Sequence, residues 1–163
     1  MVVRRNRIAR EAIRSELAQN IQYTDLASKT IEMWIPITLI GSDQSVAADS
    51  TGDKLISHSG FDFNNFANIV KHVKAAKFAF DYTWADTADG TIRLKDIRNG
   101  TVVAESSTKT GGESSVWEVV DCDISKLVSD ASLYVYVNIS SAGASGETVT
   151  VRRAYLVLKI EIS

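Results

Sequence analysis

From about residue 30 onward, apolar side chains recur at every second position. In Thr30–Ile40, Ile31, Met33, Ile35, Ile37 and Leu39 alternate with Glu32, Trp34, Pro36 and Thr38. In Lys77–Trp84, Phe78, Phe80, Tyr82 and Trp84 alternate with Lys77, Ala79, Asp81 and Thr83. In Ser132–Ser140, Leu133, Val135, Val137 and Ile139 alternate with Tyr134, Tyr136 and Asn138. A period of two sets one row against a core and the other toward solvent, so these segments predict half-buried antiparallel strands. Shorter strands are predicted at Thr91–Ile97, Thr101–Ser106 and Ser115–Val120. The longest, Thr148–Ile162, changes phase. Val149 and Val151 lie on one parity and Ala154, Leu156, Leu158, Ile160 and Ile162 on the other. A β-bulge at Arg152–Arg153 would keep both halves facing the core.

Turn chemistry separates the runs. Asn99-Gly100 between two β-rich segments is a hairpin signal. Asp89-Gly90, Gly111-Gly112 and the Gly143–Gly146 stretch mark other loops. The polar stretch 41–60 reads as a long surface loop. One short helix is predicted at about 64–73, with Phe66, Ile69, Val70 and Val73 on one side to plug an end of the body. Seven or eight strands without βαβ alternation predict an all-β antiparallel sandwich in a single domain over 28–163. A jelly roll is the first topology expected and an immunoglobulin-like Greek key the second.

The N-terminal segment has a different pattern. Residues 5–21 lack Gly and Pro and are rich in helix formers. At 100° per residue Arg7, Arg10 and Arg14 share one side of a helix, with Ile8, Ala9, Ala12 and Ile13 roughly opposite and Leu17 at the margin. Residues 1–15 carry Arg4, Arg5, Arg7, Arg10 and Arg14 against Glu11, a net +4, whereas the remaining chain is at −6. Residues 1–25 therefore form a basic helical arm on an acidic body. An isolated helix of this length is marginal in water and needs a surface to lie on. The arginines could meet acidic neighbours or phosphates, although no aromatic residue is interleaved with them for base stacking. Arginines also run through the stretch where a signal peptide would be apolar, so location stays open. No apolar run approaches the ~20 residues of a membrane-spanning helix.

Composition removes several chemistries. Cys122 is the lone cysteine, which excludes an internal disulfide and a cysteine zinc cluster, and His58 and His72 are too few for an all-histidine metal site. The chain has no Gly-x-Ser-x-Gly elbow and no phosphate-binding glycine loop. Ser57-His58-Ser59 with nearby Asp62 lacks any sign of a held base and orienting group. Asp121, Asp123, Asp86 and Asp89 could offer oxygen to calcium, but the EF-hand spacing is missing. Their simpler roles are solvent-facing strand ends, a turn cap by Asp123 before Ile124-Ser125-Lys126-Leu127, and the turn ending at Gly90. Cys122 reads as a small buried hydrophobe. No catalytic residue, metal or cofactor is expected.

Three segments in order carry a resemblance: Phe78-Ala79-Phe80-Asp81-Tyr82, then Gly90-Thr91-Ile92-Arg93-Leu94, then Gly100-Thr101-Val102-Val103-Ala104-Glu105-Ser106. The run Val149-Thr150-Val151-Arg152-Arg153-Ala154-Tyr155-Leu156-Val157-Leu158 completes it. Over about 61–160 the chain resembles the small jelly-roll modules of phage and archaeal-virus structural proteins. It is also similar to galactose-binding-like and carbohydrate-binding-module sandwiches. The resemblance implies a binding or assembly module rather than an enzyme, and it assigns no functional residue. In virion proteins of this kind, N-terminal arms tie subunits together or meet the genome, which makes a virion the expected setting.

The expected interaction residues follow from aromatic side chains on polar parities. Trp34, Tyr134, Tyr136 and Tyr155 lie opposite the main apolar rows, and pairing of the strands from 132 and 148 would join the tyrosines in one outer patch. With Arg4, Arg5, Arg7, Arg10 and Arg14 they form the candidate contact set. Large exposed apolar patches mark interfaces, although the N-terminal helix could cover such a patch within its own chain. Trp84 ends an inward row, and the facing of Trp117 is left open. The leading expectation is a self-associating structural protein, with homo-oligomers or other structural subunits as partners. The alternatives are a carbohydrate-binding module using tryptophans to hold glycan, and a scaffold whose arm binds nucleic acid.

Overall fold

The computed structural model describes residues 29–37, 43–56 and 60–162, with backbone alone at 65–68. The arm with its five arginines, Leu39 and Ser57-His58-Ser59 lie outside the described residues. Among the described residues eleven strands run in chain order: β1 (Lys29–Pro36), β2 (Gln44–Ala47), β3 (Gly52–Leu55), β4 (Phe61–Asp62), β5 (Val73–Trp84), β6 (Asp89–Asp96), β7 (Thr101–Glu105), β8 (Lys109–Thr110), β9 (Glu113–Asp121), β10 (Ser132–Ser141) and β11 (Thr148–Ile162). They form two sheets, in order β1-β11-β5-β9 and β3-β10-β6-β7. The short strands extend these lanes: β2 also pairs with β11, β4 with β10, and β8 with β6. The pairings of β10 with β3, β4 and β6, of β11 with β2 and β5, of β5 with β9, and of β6 with β7 and β8 are antiparallel, giving the all-β sandwich that the alternation predicts.

The predicted inward rows line the core. Phe78, Phe80, Tyr82 and Trp84 from β5 face Leu133, Val135, Val137 and Ile139 from β10, with Ile92 and Leu94 beside them. Long β11 shows why the phase changes. Val151 pairs with Tyr82 and Arg153 with Asp81, so Arg152 is the extra residue of a bulge. Val149 and Val151 before it and Ala154, Leu156 and Leu158 after it are all buried. Without the extra residue one half would point its side chains at solvent.

Three expectations are corrected. The 41–60 stretch is not simply a loop, because it contains β2 and β3 and buries Ala48 and Ile56. Its strands are short and polar, and their pairing is dictated by β11 and β10 rather than by their own composition. The short helix is smaller than 64–73: a 3-10 turn at Phe63–Phe66 leads into one α-turn at Ala67–Val70, and β5 begins at Val73. Ile69, Val70 and Val73 still pack against the core. The strands from 132 and 148 do not pair, since β10 and β11 belong to different sheets.

The turn chemistry is as expected at two places. Asp123 caps the 3-10 turn Ile124–Lys126 by accepting from the Ser125 N–H. The β6–β7 hairpin closes with Gly100 at φ +66°. A side chain there is strained whatever the space, so Gly100→Ala should cost about 1–2 kcal/mol, measurable as a lower urea midpoint with unchanged slope. By its contacts the chain divides into a unit of Glu32–Ile160 and another of Met1–Ile31 with Glu161–Ser163. The described part of the latter is the strand ends Lys29–Ile31 and Glu161–Ile162.

Candidate interaction face

Each sheet has an outer face, and the two differ in chemistry. On the second sheet the outward side chains form an ionic lattice. Asp53 of β3 accepts from Arg93 Nη1 at 2.9 Å and Lys95 Nζ at 3.0 Å, both on β6, and from Asn138 Nδ2 of β10 at 2.8 Å. Arg93 Nε also reaches Glu105 of β7 at 2.7 Å, and Thr91 donates to the same carboxylate. Burial opposes ionisation of Asp53 and Glu105. Lys95 and Asn138 at the first, and Thr91 and Arg93 at the second, outweigh it and hold both below their ordinary values. Tyr136 sits under Lys95, whose ammonium is 5.2 Å from the ring centroid. The Tyr134 ring lies against Gly60, where a Cβ would collide with it. These charges are mutually satisfied, and Leu55, opposite Tyr136, is the large apolar side chain exposed beside them.

The outer face of the first sheet is aromatic. Trp34 of β1 and Trp117 of β9 flank Tyr155 of β11, with ring centroids 5.7 Å and 6.2 Å from it. Cross-strand register explains the grouping. Tyr155 pairs with Ala79 of β5 and Ala79 with Val119 of β9, one row above Lys77 and one below Asp81. The small Ala79 side chain leaves room for the rings on either side. Trp34, Trp117 and Val119 are 50%, 45% and 44% exposed. Glu32 accepts from the Trp34 indole N–H at 2.6 Å. The Arg153 guanidinium covers Trp117 at 5.8 Å while bonding Asp81 at 2.9 Å. The bulge delivers this arrangement, because it also sets Arg152 3.5 Å from Asp81 and within 2.8 Å of the Thr83 hydroxyl. Beside the aromatic group, Val157 and Ala75 line a cavity of about 310 Å³ together with Lys77, Lys159 and Glu32.

The candidate residues are thus split. Trp34 and Tyr155 come together, and Trp117 joins them. Tyr134 and Tyr136 lie on the other sheet, so the single tyrosine patch does not form. The tryptophan expected in the core is there: Trp84 is 2% exposed and donates its indole N–H to the Ala88 carbonyl at 2.7 Å. That removes one of the aromatic faces considered for sugar binding. The rings that are exposed stand at 69° and 53° to Tyr155 rather than coplanar.

The remaining candidates have structural positions. Cys122 is buried, and burial, with a contribution from Asp121, pushes its thiol up to about 12, which leaves it protonated and unreactive at neutral pH. Among the described residues no group of three or more His, Cys, Asp or Glu side chains could hold a metal ion. No described helix is long and apolar enough to cross a membrane.

No protein family and no curated protein matches this chain. Among solved structures it is similar to a chain in the structure of infectious bursal disease virus, Gx strain, at 13% identity and a TM-score of 0.39. The match covers 81% of this chain and 32% of that one, so this chain spans about a third of the viral chain's length.

Proposed function

We propose that this chain is a non-enzymatic structural protein, a jelly-roll block that joins further copies through the outer face of its first sheet and its N-terminal arm, in the manner of a virion component. The observation that carries the reading is the group Trp34, Tyr155, Trp117 and Val119 side by side on an outer sheet face. Exposed aromatic clusters of this kind are enriched in interface cores, and tryptophan and tyrosine dominate binding energy there.

Sheet order supports the jelly-roll part. Let β1 with β2, β3 with β4, and β7 with β8 each count as one lane. In chain order the lanes then stand 1-8-3-6 in one sheet and 2-7-4-5 in the other. Lane 1 pairs with 8, 2 with 7, 3 with 6 and 4 with 5, the pattern made by rolling up one long hairpin. An immunoglobulin-like arrangement would instead put lanes 1 and 2 side by side in one sheet.

Light scattering of the full chain, of a chain lacking residues 1–25, and of Trp34→Ser/Trp117→Ser tests the assembly reading. A discrete oligomer that becomes monomeric in either variant is the expected result. Both tryptophans are on the surface, so the double variant should keep its far-ultraviolet circular dichroism. A full chain that is monomeric, or whose mass neither change alters, overturns the proposal.

A further inference from the structure

Resting on that reading, we infer that the aromatic face receives residues 5–21 of a second copy, with Glu16 seated between Lys77 and Lys159. The starting point is a mismatch within the arm. On a helix through 5–21, Glu16 falls in the middle of the arc that runs from Ile8 through Ala12 and Ala9 to Ile13, and Arg5 shares that arc about three turns away, too far to pair with it. A surface that takes those apolar side chains must take the carboxylate with them. Burying it unpaired is costly, so the surface must also present a cation.

The first sheet's outer face offers both. Trp34, Tyr155, Trp117 and Val119 supply apolar area. The adjoining cavity is lined by Val157 and Ala75 together with Lys77, Lys159 and Glu32. Lys77 meets Asp121 at 4.0 Å, the outer limit of an ion pair, with both side chains largely exposed. Glu32, the cavity's own carboxylate, accepts from the Trp34 indole N–H at 2.6 Å and is outnumbered by the two lysines. On the opposite face Arg93 and Lys95 already share Asp53 and Glu105, which leaves less positive charge for an incoming carboxylate.

Dimensions agree. A 17-residue helix is about 25 Å long, and four strands span about 15 Å. The seven residues 22–28 reach at most about 24 Å from Lys29, where the arm joins β1 at the edge lane of the same sheet. Seated this way, the helix turns Arg7, Arg10 and Arg14 away from the face. Reciprocal exchange of arms would make the contact isologous.

A charge swap in the full chain tests the seat. Glu16→Lys and Lys159→Glu should each weaken self-association about 10-fold, read as a shift in the concentration dependence of mass, and the two together should restore most of it. Lys77→Glu with Glu16→Lys is the second combination. If removal of residues 1–25 abolishes association but neither swap restores what its single changes lose, the seat is wrong although the assembly reading stands. If removal of the arm leaves the oligomer intact, the assembly reading itself fails. A monomeric full chain whose tryptophan emission shifts on Glu16→Lys would place the arm on its own face and overturn the exchange.

Discussion

Replacing Lys109 with alanine is expected to cost the fold about 3–5 kcal/mol. Lys109 sits on β8, at the edge of the second sheet, and is 6% exposed. Its ammonium crosses to Glu118 on β9, the edge strand of the first sheet, at 2.5 Å. Glu118 has the inward parity of Val116 and Val120, which pack against the core. The pair therefore closes one seam of the sandwich. Ser107 Oγ takes a second ammonium hydrogen at 3.0 Å, and the Tyr82 ring lies 5.2 Å below. Tyr82 in turn donates its hydroxyl to Glu113. Removing the lysine leaves Glu118 half enclosed beside another carboxylate and a tyrosine oxygen, with its cation gone.

The companion double variant separates lost attraction from stranded charge. Lys109→Met with Glu118→Leu should recover most of the loss, because apolar replacements of a buried pair are often neutral or stabilising. Urea unfolding of wild type, the alanine variant and the double variant gives the comparison. A cost under about 1 kcal/mol for Lys109→Ala is what exposed pairs show, and it would mean that the seam is open to water. The same cluster predicts alkaline sensitivity. Burial, then Glu113 and Glu118, raise the Tyr82 pKa above its ordinary 10.0. The raised value favours the folded state below pH 10, and that contribution is lost as the pH rises from there through the native value.

Much of this architecture is legible in the alternation itself. β5, β10 and β11 are long and inward-apolar, and burial fixes their register, so their parity identifies the core and even the bulge at Arg152. β2 and β3 were not legible. Each has four residues, and Gly52-Asp53-Lys54-Leu55 has no β-forming character. It is a strand because β10 offers it an open edge. Sheet assignment is likewise non-local. Consecutive strands usually neighbour one another, but the connection from β10 to β11 crosses between sheets, and Gly143 and Gly146 look the same whether the chain turns back or crosses over.

That limit also shaped the candidate face. Trp34 and Tyr155 stood out because each is a large aromatic on an otherwise polar parity. Tyr134 and Tyr136 have the same signature, yet the crossover puts them on the far sheet, among charges. Trp117 had no comparable signal. Its strand alternates Val116, Glu118 and Val120 against Trp117, Val119 and Asp121, so neither row is plainly apolar. Ser115, at φ 52° beside a register shift, interrupts the strand just before it. Only the pairing Asp81–Trp117 settles which side the indole takes.

Asp96 should be the second position of large effect, with Asp96→Ala expected to cost about 3 kcal/mol. The residue is fully buried at the end of β6. Its Oδ1 accepts from the Ser132 N–H at 2.9 Å and the Arg98 N–H at 3.1 Å, and its Oδ2 accepts from Asn99 Nδ2 at 2.6 Å. One carboxylate thus holds the β6–β7 turn and pins it to the first residue of β10, where Ile97 N–H also bonds the Ser132 carbonyl. Alanine would remove the acceptor of all three donors and leave the buried Ser132 N–H unsatisfied. Burial opposes the charge, but the Ser132, Asn99 and Arg98 donors outweigh it and hold the carboxyl below its ordinary 3.8. A depressed native value means that the stabilisation is complete above the unfolded value and is lost as the pH falls through the native one. Wild type should therefore lose stability from about pH 4 downward, and Asp96→Asn should flatten that slope while lowering stability at pH 7. An acid profile of equal steepness in the two proteins would show that Asp96 does not hold its charge through these bonds.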